Sequence, residues 1–169
     1  MKRYISILTI AFITILALYI GKTAKNSKLE AYVDLFNKSD NELYKQHIPN
    51  NKAFEFLIEN IPLIDIPDKD LEETYYFRWW TFRKHIKSTE DGFVITEFLP
   101  NVSWSMKHNT INCPAGHHIY EGRWLKDPKY ISEYIDFWLN KSGDGIRQYS
   151  FWVADATLAF HNIHRDDSI

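Results

Sequence analysis

The second half of the sequence carries an unusual density of aromatic side chains. Between Thr74 and Phe160, 19 of the 87 residues are Phe, Trp or Tyr. Side chains of this size favour burial, and a small domain has too much surface for its volume to cover many of them. Collagens, low-complexity tails and ordinary disordered segments lack such apolar content. We therefore expect a packed fold, and we interpret the chain as the front portion of a larger helical domain.

One segment predicts an inner helix of that domain. Asp70 and Glu73 form a capping-box pattern, so we expect the helix to run over residues 71–87. Its aromatic residues occupy consecutive positions and cover more than one face: Tyr75, Tyr76, Phe77, Trp79, Trp80 and Phe82. A helix that is apolar on several faces is buried on several sides. Further helices are predicted from near Ala115, from Pro128 and from near Arg147, with a short hairpin or strand in 91–99 and a loop over 101–112.

The N-terminus resembles an export signal. A basic start at residues 1–3 precedes the uncharged, apolar stretch from Ile5 to Gly21. We predict that residues 1–24 are a signal peptide that ends at Ala24, or an uncleaved signal anchor that would be the chain's one membrane contact. Residues 25–66 would then form a helical lead-in, and residues 67–169 the N-terminal part of the main domain.

Composition restricts the compartment and the partners. The formal net charge of −2 provides no basic excess for nucleic acid, so a nucleic-acid partner is excluded. Cys113 is the only cysteine, which rules out an internal disulfide. An exported protein without disulfides fits the periplasm or outer surface of a Gram-negative bacterium.

The histidines do not predict a metal site. His117 and His118 are adjacent, so on a helix their side chains point about 100° apart and cannot share one ion in the usual manner. His161 and His164 lack an acidic partner at a known ligand spacing. No phosphate loop, dinucleotide fingerprint or Gly-x-Ser-x-Gly motif is present. We therefore predict neither a metal nor a cofactor.

Three carboxylates lie next to aromatic residues. Glu97 directly precedes Phe98, Glu121 directly follows Tyr120, and Asp155 comes three positions after Trp152. Aromatic rings stack on the apolar faces of sugars, while carboxylates, arginine and histidine bond the hydroxyls. The alternative is that Glu121 and Asp155 pair with Arg123 or Arg147 to satisfy buried charge. Spacing alone leaves both interpretations open.

Four blocks of sequence carry a resemblance: residues 74–80 (TYYFRWW), 94–100 (VITEFLP), 115–124 (AGHHIYEGRW) and 149–156 (YSFWVADA). Together they resemble the exported six-hairpin glycosidases of Bacteroidetes that have a mannosylglycerate-hydrolase-like domain. Those enzymes are similar to trehalases and processing glucosidases.

The resemblance implies a fold, an activity and a site. The fold would be all-α, with helical hairpins forming part of an incomplete (α/α)6 barrel and a short β-hairpin insertion. The activity would be acid–base hydrolysis of a glycosidic bond in a carbohydrate, without a cofactor, through an Asp acid and a Glu base located later in the barrel. Asp155 is the candidate catalytic residue within the chain. The candidate sugar contacts are Trp80, Glu97, Trp104, His117, His118, Glu121, Arg123, Trp124 and Trp152.

Three functional hypotheses follow. The first is the N-terminal part of an exported glycoside hydrolase of oligo- or polysaccharides, truncated and inactive alone, which a downstream fragment would complete. The second is a non-catalytic carbohydrate-binding module that uses Trp79, Trp80, Trp104 and Trp124. The third is a membrane-anchored helical interaction protein whose aromatic residues form only a core.

Overall fold

The computed structural model describes residues 2–165 of the chain. This range is mostly helical and contains one β-hairpin. The α-helices are α1 (Lys2–Ser39), α2 (Ala53–Asn60), α3 (Lys69–His85), α4 (Ala115–Gly122), α5 (Lys129–Asp136) and α6 (Val153–His164), and the strands are β1 (Ile86–Thr89) and β2 (Gly92–Ile95). Short 3-10 turns lie at Asn50–Lys52, Lys107–Asn109 and Gly143–Arg147, and a π-turn follows α5 at Phe137–Lys141. The predicted helical class and β-hairpin are therefore confirmed, whereas closure into an (α/α)6 barrel stays a prediction.

The C-terminal part of α1 packs against α3. Leu29, Val33 and Phe36 follow one another at spacings of four and three residues, so they share one face of the helix, and all three are buried. Tyr32 stacks on Tyr76 of α3 with ring centroids 5.3 Å apart. The aromatic helix is therefore covered by α1 on one side.

A buried carboxylate connects α1 to the start of α3. The Glu72 side chain is 0% exposed. It accepts hydrogen bonds from the Ile66 amide at 2.9 Å and from the Tyr32 hydroxyl at 3.2 Å, and it pairs with the ammonium groups of Lys28 and Lys69. Burial alone would raise the pKa of Glu72, but these donors outweigh burial, so its pKa lies below the ordinary value.

Helix α3 begins and ends elsewhere than predicted. Asp68, not Asp70, caps it, because the Asp68 carboxylate accepts from the backbone amides of residues 70 and 71. The helix ends at His85, since Ile86 begins a strand that pairs antiparallel with β2. Its predicted burial on several sides is confirmed, and the buried aromatic residues are Tyr76, Trp79, Trp80 and Phe82.

A second polar cluster fixes the loop after α1. Arg83 of α3 is 0% exposed, and its guanidinium donates to Gln46 Oε1 at 2.8 Å, to the Ile48 carbonyl at 2.6 Å and to Asn50 Oδ1. Burial lowers the pKa of Arg83 to about 10, against the opposing attraction of Glu42 and Asp40, so the group stays charged at neutral pH. These bonds tie residues 46–50 to the middle of the aromatic helix.

Helices α4, α5 and α6 form the other half of the core. Helix α5 packs on β2, and α4 packs on α6. Gly122 at the end of α4 allows close approach, because a Cβ there would lie 2.2 Å from Ile131 Cδ1 of α5. Helix α6 begins at Val153 and not near Arg147 as predicted, since residues 143–147 form a separate 3-10 turn.

The predicted export segment falls largely within α1. No helix among the described residues carries an apolar stretch long enough to cross a membrane. Met1 of that segment, and residues 166–169 of the predicted main domain, lie outside the described residues. The cleavage position and the domain boundaries stay predictions.

Candidate functional site

The predicted site residues of α4 line two adjoining clefts. The first, here called the polar cleft, has a volume of about 230 Å³. Its walls come from α3, from β2 with the residues after it, and from α4: Arg78, Thr81, Phe82, His85, Ile95, Thr96, Glu97, His118 and Glu121. The cleft thus brings together three of the predicted sugar contacts, Glu97, His118 and Glu121, which are up to 24 positions apart in sequence.

His118 lies between a buried tyrosine and Glu97. Its Nδ1 is 3.2 Å from the Tyr134 hydroxyl, and its Nε2 is 3.4 Å from Glu97 Oε2. Burial, together with the nearby His85 and His117, lowers the pKa of His118 to about 4, so the imidazole is neutral at pH 7. Burial also raises the pKa of Tyr134 well above its ordinary value, so the phenol keeps its proton. We therefore assign the tautomer in which Nδ1 accepts from Tyr134 and Nε2–H faces Glu97.

His85 is the second neutral imidazole of the polar cleft. Its Nδ1 lies 2.7 Å from the Thr96 carbonyl oxygen, which can only accept, so Nδ1 carries the proton. Burial lowers the pKa of His85, more than the bond to Thr96 raises it. The remaining nitrogen, Nε2, is therefore a hydrogen-bond acceptor.

An ion pair separates the polar cleft from its neighbour. Arg78 of α3 binds Glu121 of α4 in a bidentate manner, with Nε to Oε1 at 3.1 Å and Nη2 to Oε2 at 2.6 Å. Both residues line both clefts. The structure thus pairs Glu121 with Arg78, and not with Arg123 or Arg147 as the alternative interpretation held.

The second cleft, here called the aromatic cleft, has a volume of about 390 Å³. Its walls are Tyr75, Arg78, Trp79, His117, Tyr120, Glu121 and Trp124. Trp124 is 47% exposed and offers an accessible ring, whereas Trp79 is only 4% exposed. We refer to the two clefts together as the groove.

Three further predicted residues pack beside the groove. The Trp152 ring stacks on Tyr120 with centroids 5.5 Å apart and meets His117 edge-on at 4.9 Å. The Arg123 guanidinium lies 4.4 Å from the centre of the Tyr120 ring. Asp155 accepts a hydrogen bond from the Tyr120 hydroxyl at 2.5 Å. Asp155 lines neither cleft and stands on the first turn of α6, so its catalytic role stays a prediction.

Trp80 and Trp104 lie apart from the groove lining. Trp80 is 4% exposed, and its indole N–H donates to Asn37 Oδ1 of α1 at 2.8 Å. This ring packs between α1 and α3 and lines neither cleft, so the structure gives no support to the predicted sugar contact at Trp80, which stays a prediction. Trp104 is 60% exposed in the loop after β2 and packs edge-on against Phe98.

Sequence reasoning missed four polar groups of this site: Arg78, His85, Thr96 and Tyr134. Each lies on a different element from its partner, so no local spacing revealed it. Arg78 stood inside the first aromatic block and was noted there only as part of the resemblance. Its charge among aromatic residues was the available signal, although the Arg78 side chain itself is 64% exposed and so does not require a partner.

One cluster outside the groove has metal-ligand chemistry. Within residues 2–165, Glu90, Asp91 and His108 bring three possible ligand atoms close together. The ammonium of Lys107 and the imidazole of His108 already contact Asp91, each at 2.5 Å. Hydrogen bonds from these partners lower the pKa of Asp91, and the arrangement is a salt-bridge cluster at the hairpin turn.

Comparison with known families matches part of this site. Residues 107–169 match the mannosylglycerate hydrolase MGH1-like glycoside hydrolase domain. The matched segment contains α4, α5 and α6, and with them His117, His118, Glu121 and Trp124. This similarity relates the chain to glycoside hydrolases, as the sequence blocks predicted.

A solved structure supports the fold. The chain is similar to a protein titled "Sialidase", with 46% identity and a TM-score of 0.76 over 80% of this chain. The aligned region spans 13% of that protein's chain. No curated protein matches this sequence.

Proposed function

We propose that this chain is a portion of a glycoside hydrolase that acts on an oligo- or polysaccharide, and that the groove supplies sugar-binding side chains. The observation that carries the proposal is the convergence of Glu97, His118, Glu121 and Trp124 on one groove, three of them inside the matched segment. The ring of Trp124 provides a stacking platform, and the carboxylates and imidazoles provide hydrogen-bonding groups for hydroxyls.

The two clefts suit different parts of a glycan. The polar cleft is smaller than the roughly 300 Å³ at which ligand sites usually begin. The aromatic cleft adjoins it across the Arg78–Glu121 pair, and together the two reach the usual size range. A disaccharide or longer chain would place one ring against Trp124 and bond its neighbour in the polar cleft.

We further propose that groups outside this chain complete the hydrolytic site. Glycoside hydrolysis needs two carboxyl groups on either side of the scissile bond. This chain corresponds to 13% of the similar sialidase chain, which leaves room for both in the rest of such a protein. The chain alone should bind sugars without hydrolysing them.

The location is a proposal as well. We propose that residues 1–24 direct export and that the protein works in the periplasm or on the outer surface of a Gram-negative bacterium. N-terminal sequencing of the protein recovered from the periplasm tests this. A start at Lys25 supports cleavage, an intact N-terminus in the membrane fraction supports an anchor, and recovery from the cytoplasm refutes export.

A binding assay tests the proposed function. Four soluble probes represent the sugars in the names of the matched domain family and of the similar solved protein, each with a neutral counterpart. They are mannosylglycerate and mannosylglycerol, and 3′-sialyllactose and lactose. We expect calorimetry on the full chain to detect binding of at least one probe, and Trp124→Ala to weaken it about tenfold. Tyr149→Ala is the matched control, because Tyr149 is 55% exposed and lines neither cleft. Failure to bind any probe would refute the sugar site, and turnover of a probe would refute the need for outside groups.

The same assay separates the groove from a binding module on the surface. Trp104 is more exposed than Trp124, which is the observation in favour of a module. If Trp104→Ala weakens binding while Trp124→Ala does not, the module hypothesis replaces the groove.

A further inference from the structure

The charge balance of the polar cleft has a consequence for the sugar that it accepts. Five of its lining residues are ionisable: Arg78, His85, Glu97, His118 and Glu121. The Arg78 guanidinium and the Glu121 carboxylate contact each other through two hydrogen bonds, so their charges cancel within the wall of the cleft. The sign of the cleft is therefore decided by the other three residues.

The two histidines contribute no positive charge. His85 donates from Nδ1 to the Thr96 carbonyl, and His118 accepts at Nδ1 from Tyr134. Burial lowers the pKa of both imidazoles; Lys84 and Lys87 lower that of His85 further, and His85 and His117 add to the lowering at His118. Both are neutral at pH 7.

Glu97 then provides the net charge. Its side chain is 36% exposed, and its partner within ion-pair range in the described part of the chain is the neutral His118. A neutral imidazole N–H orients a carboxylate but does not cancel its charge. Among the residues that line it, the polar cleft thus has one carboxylate that no lining cation pairs, Glu97, and an additional acceptor at His85 Nε2.

We propose that the polar cleft selects neutral sugars, whose hydroxyls donate to Glu97 and His85, and excludes sugars that carry a carboxylate there. The inference rests on the proposed sugar-binding function and names the class of ligand. In this arrangement His118 is a positioning residue: Tyr134 fixes its tautomer, which directs its Nε2–H to the side of Glu97, whose Oε2 lies 3.4 Å away. A carboxylate in the same cleft would lie within a few ångströms of Glu97, and like charges at that distance repel even in water.

Matched probes test the selection. Mannosylglycerol and mannosylglycerate differ by one carboxylate in place of a hydroxymethyl group. On the full chain we expect the neutral probe to bind at least about fivefold more tightly, which corresponds to two charges about 4 Å apart in water. Glu97→Gln removes the charge and keeps the shape, so it should bring the ratio of the two affinities toward one. Glu90→Gln is the control, because Glu90 loses the same charge, is 79% exposed and lies outside the groove.

The outcomes separate this inference from the proposed function. Tighter binding of mannosylglycerate overturns the selection but leaves a sugar-binding groove. Equal binding of both probes also overturns it. If neither probe binds, and lactose and 3′-sialyllactose do not bind either, the groove is not a sugar site and both proposals fail.

A second measurement needs no ligand. Nitrogen-15 NMR of the histidine side chains at pH 7 should show His85 and His118 neutral, with the proton on Nδ1 of His85 and on Nε2 of His118. Tyr134→Phe removes the hydroxyl that binds His118 Nδ1, so the proton of His118 should distribute between Nδ1 and Nε2 while the tautomer of His85 stays unchanged. A charged imidazolium at His118 would place a positive charge 3.4 Å from Glu97, and one at His85 would add a positive charge to the lining of the cleft; either result would overturn the proposal.

Discussion

Gly122 is the position where helix α4 has least room, and an added methyl group there should be costly. The Cβ of an alanine would lie 2.2 Å from Cδ1 and 2.8 Å from Cγ1 of Ile131, and 2.9 Å from Cζ of Phe82. Carbon atoms in contact normally keep about 3.5–4.0 Å, so the closest pair overlaps by more than an ångström. Ile131 is 0% and Phe82 is 7% exposed, so neither side chain can move into solvent.

The magnitude follows from two opposing terms. Forcing an extra carbon into a filled core costs about 1–3 kcal/mol. Alanine favours a helix over glycine by up to about 1 kcal/mol, and the effect is smaller at a helix end such as this one. We therefore expect Gly122→Ala to lower the free energy of unfolding by about 1–2 kcal/mol. Because α4 carries His118 and Glu121, the shift of the helix should also weaken sugar binding.

A double-mutant cycle identifies the contact responsible. Ile131→Val removes the Cδ1 atom at 2.2 Å and by itself costs about 0.5–1.5 kcal/mol. In the double variant the clash is reduced. Its loss of unfolding free energy should therefore be about 1 kcal/mol smaller than the sum of the losses in the two single variants. Urea unfolding followed by circular dichroism measures all four proteins. Gly145→Ala is the control, because its Cβ would come closest to the flexible Met106, at 3.3 Å, and would meet Ser142 and Trp138 at ordinary contact distances of 3.5 and 3.6 Å. A Gly122→Ala protein as stable as the parent, or strictly additive losses, would refute the packing argument.

Three further predictions concern other parts of the fold. In the folded protein the pKa of Glu72 lies below its ordinary 4.5. The stability that this carboxylate contributes is therefore complete above pH 4.5 and is lost as the pH falls through the lower folded-state pKa. Glu72→Gln should lower the unfolding free energy at pH 7 by about 1.5–3 kcal/mol and reduce its dependence on acid pH, as measured by urea unfolding between pH 3 and 7. The Asn109 side chain makes four hydrogen bonds within residues 98–109, so Asn109→Ala should speed amide hydrogen exchange throughout that loop. A Cβ at Gly116 would lie 1.9 Å from Trp152 Nε1, so Gly116→Ala should displace this ring from its contacts with Tyr120 and His117, shift its indole N–H resonance and cost about 1–3 kcal/mol.

The sequence predicted helix α3 well because the reasons for that helix are local. Its consecutive aromatic residues indicated burial on several faces, and the structure confirms this. Its two ends were misplaced for different reasons. The cap at Asp68 had a plausible competitor two residues later at Asp70. The switch to a strand at Ile86 depends on pairing with residues 92–95, which becomes visible only when both strands are in place.

The candidate site was predicted in part for a similar reason. His117, His118 and Glu121 stand close together in sequence and belong to one helix, so a single block revealed them. Their partners Arg78 and Tyr134 come from other helices, 43 residues before Glu121 and 16 residues after His118. Side-chain partners at such separations leave no periodic trace in a single sequence.

The position of Trp80 outside the groove has a separate cause. Adjacent aromatic residues on a helix point in different directions, and the pattern alone does not say which direction faces solvent. In the structure Trp80 faces α1, where Asn37 accepts a hydrogen bond from its indole N–H, and the ammonium of Lys84 in α3 itself lies 4.6 Å from its ring. An aromatic residue predicted as a sugar platform is thus part of the α1–α3 packing.

Stability and binding therefore have different locations in this molecule. The buried charges Glu72 and Arg83 join α1 and the loop after it to α3, and neither lines the groove. Groove residues such as Glu97 and Trp124 are partly exposed, so their substitution removes little buried contact. Helix α4 is the exception, because one face bears the site residues while Gly122 fixes its distance from α5. Substitutions at Glu72 should thus change unfolding without changing probe selectivity, those at Glu97 should do the reverse, and only those at the packed face of α4 should change both.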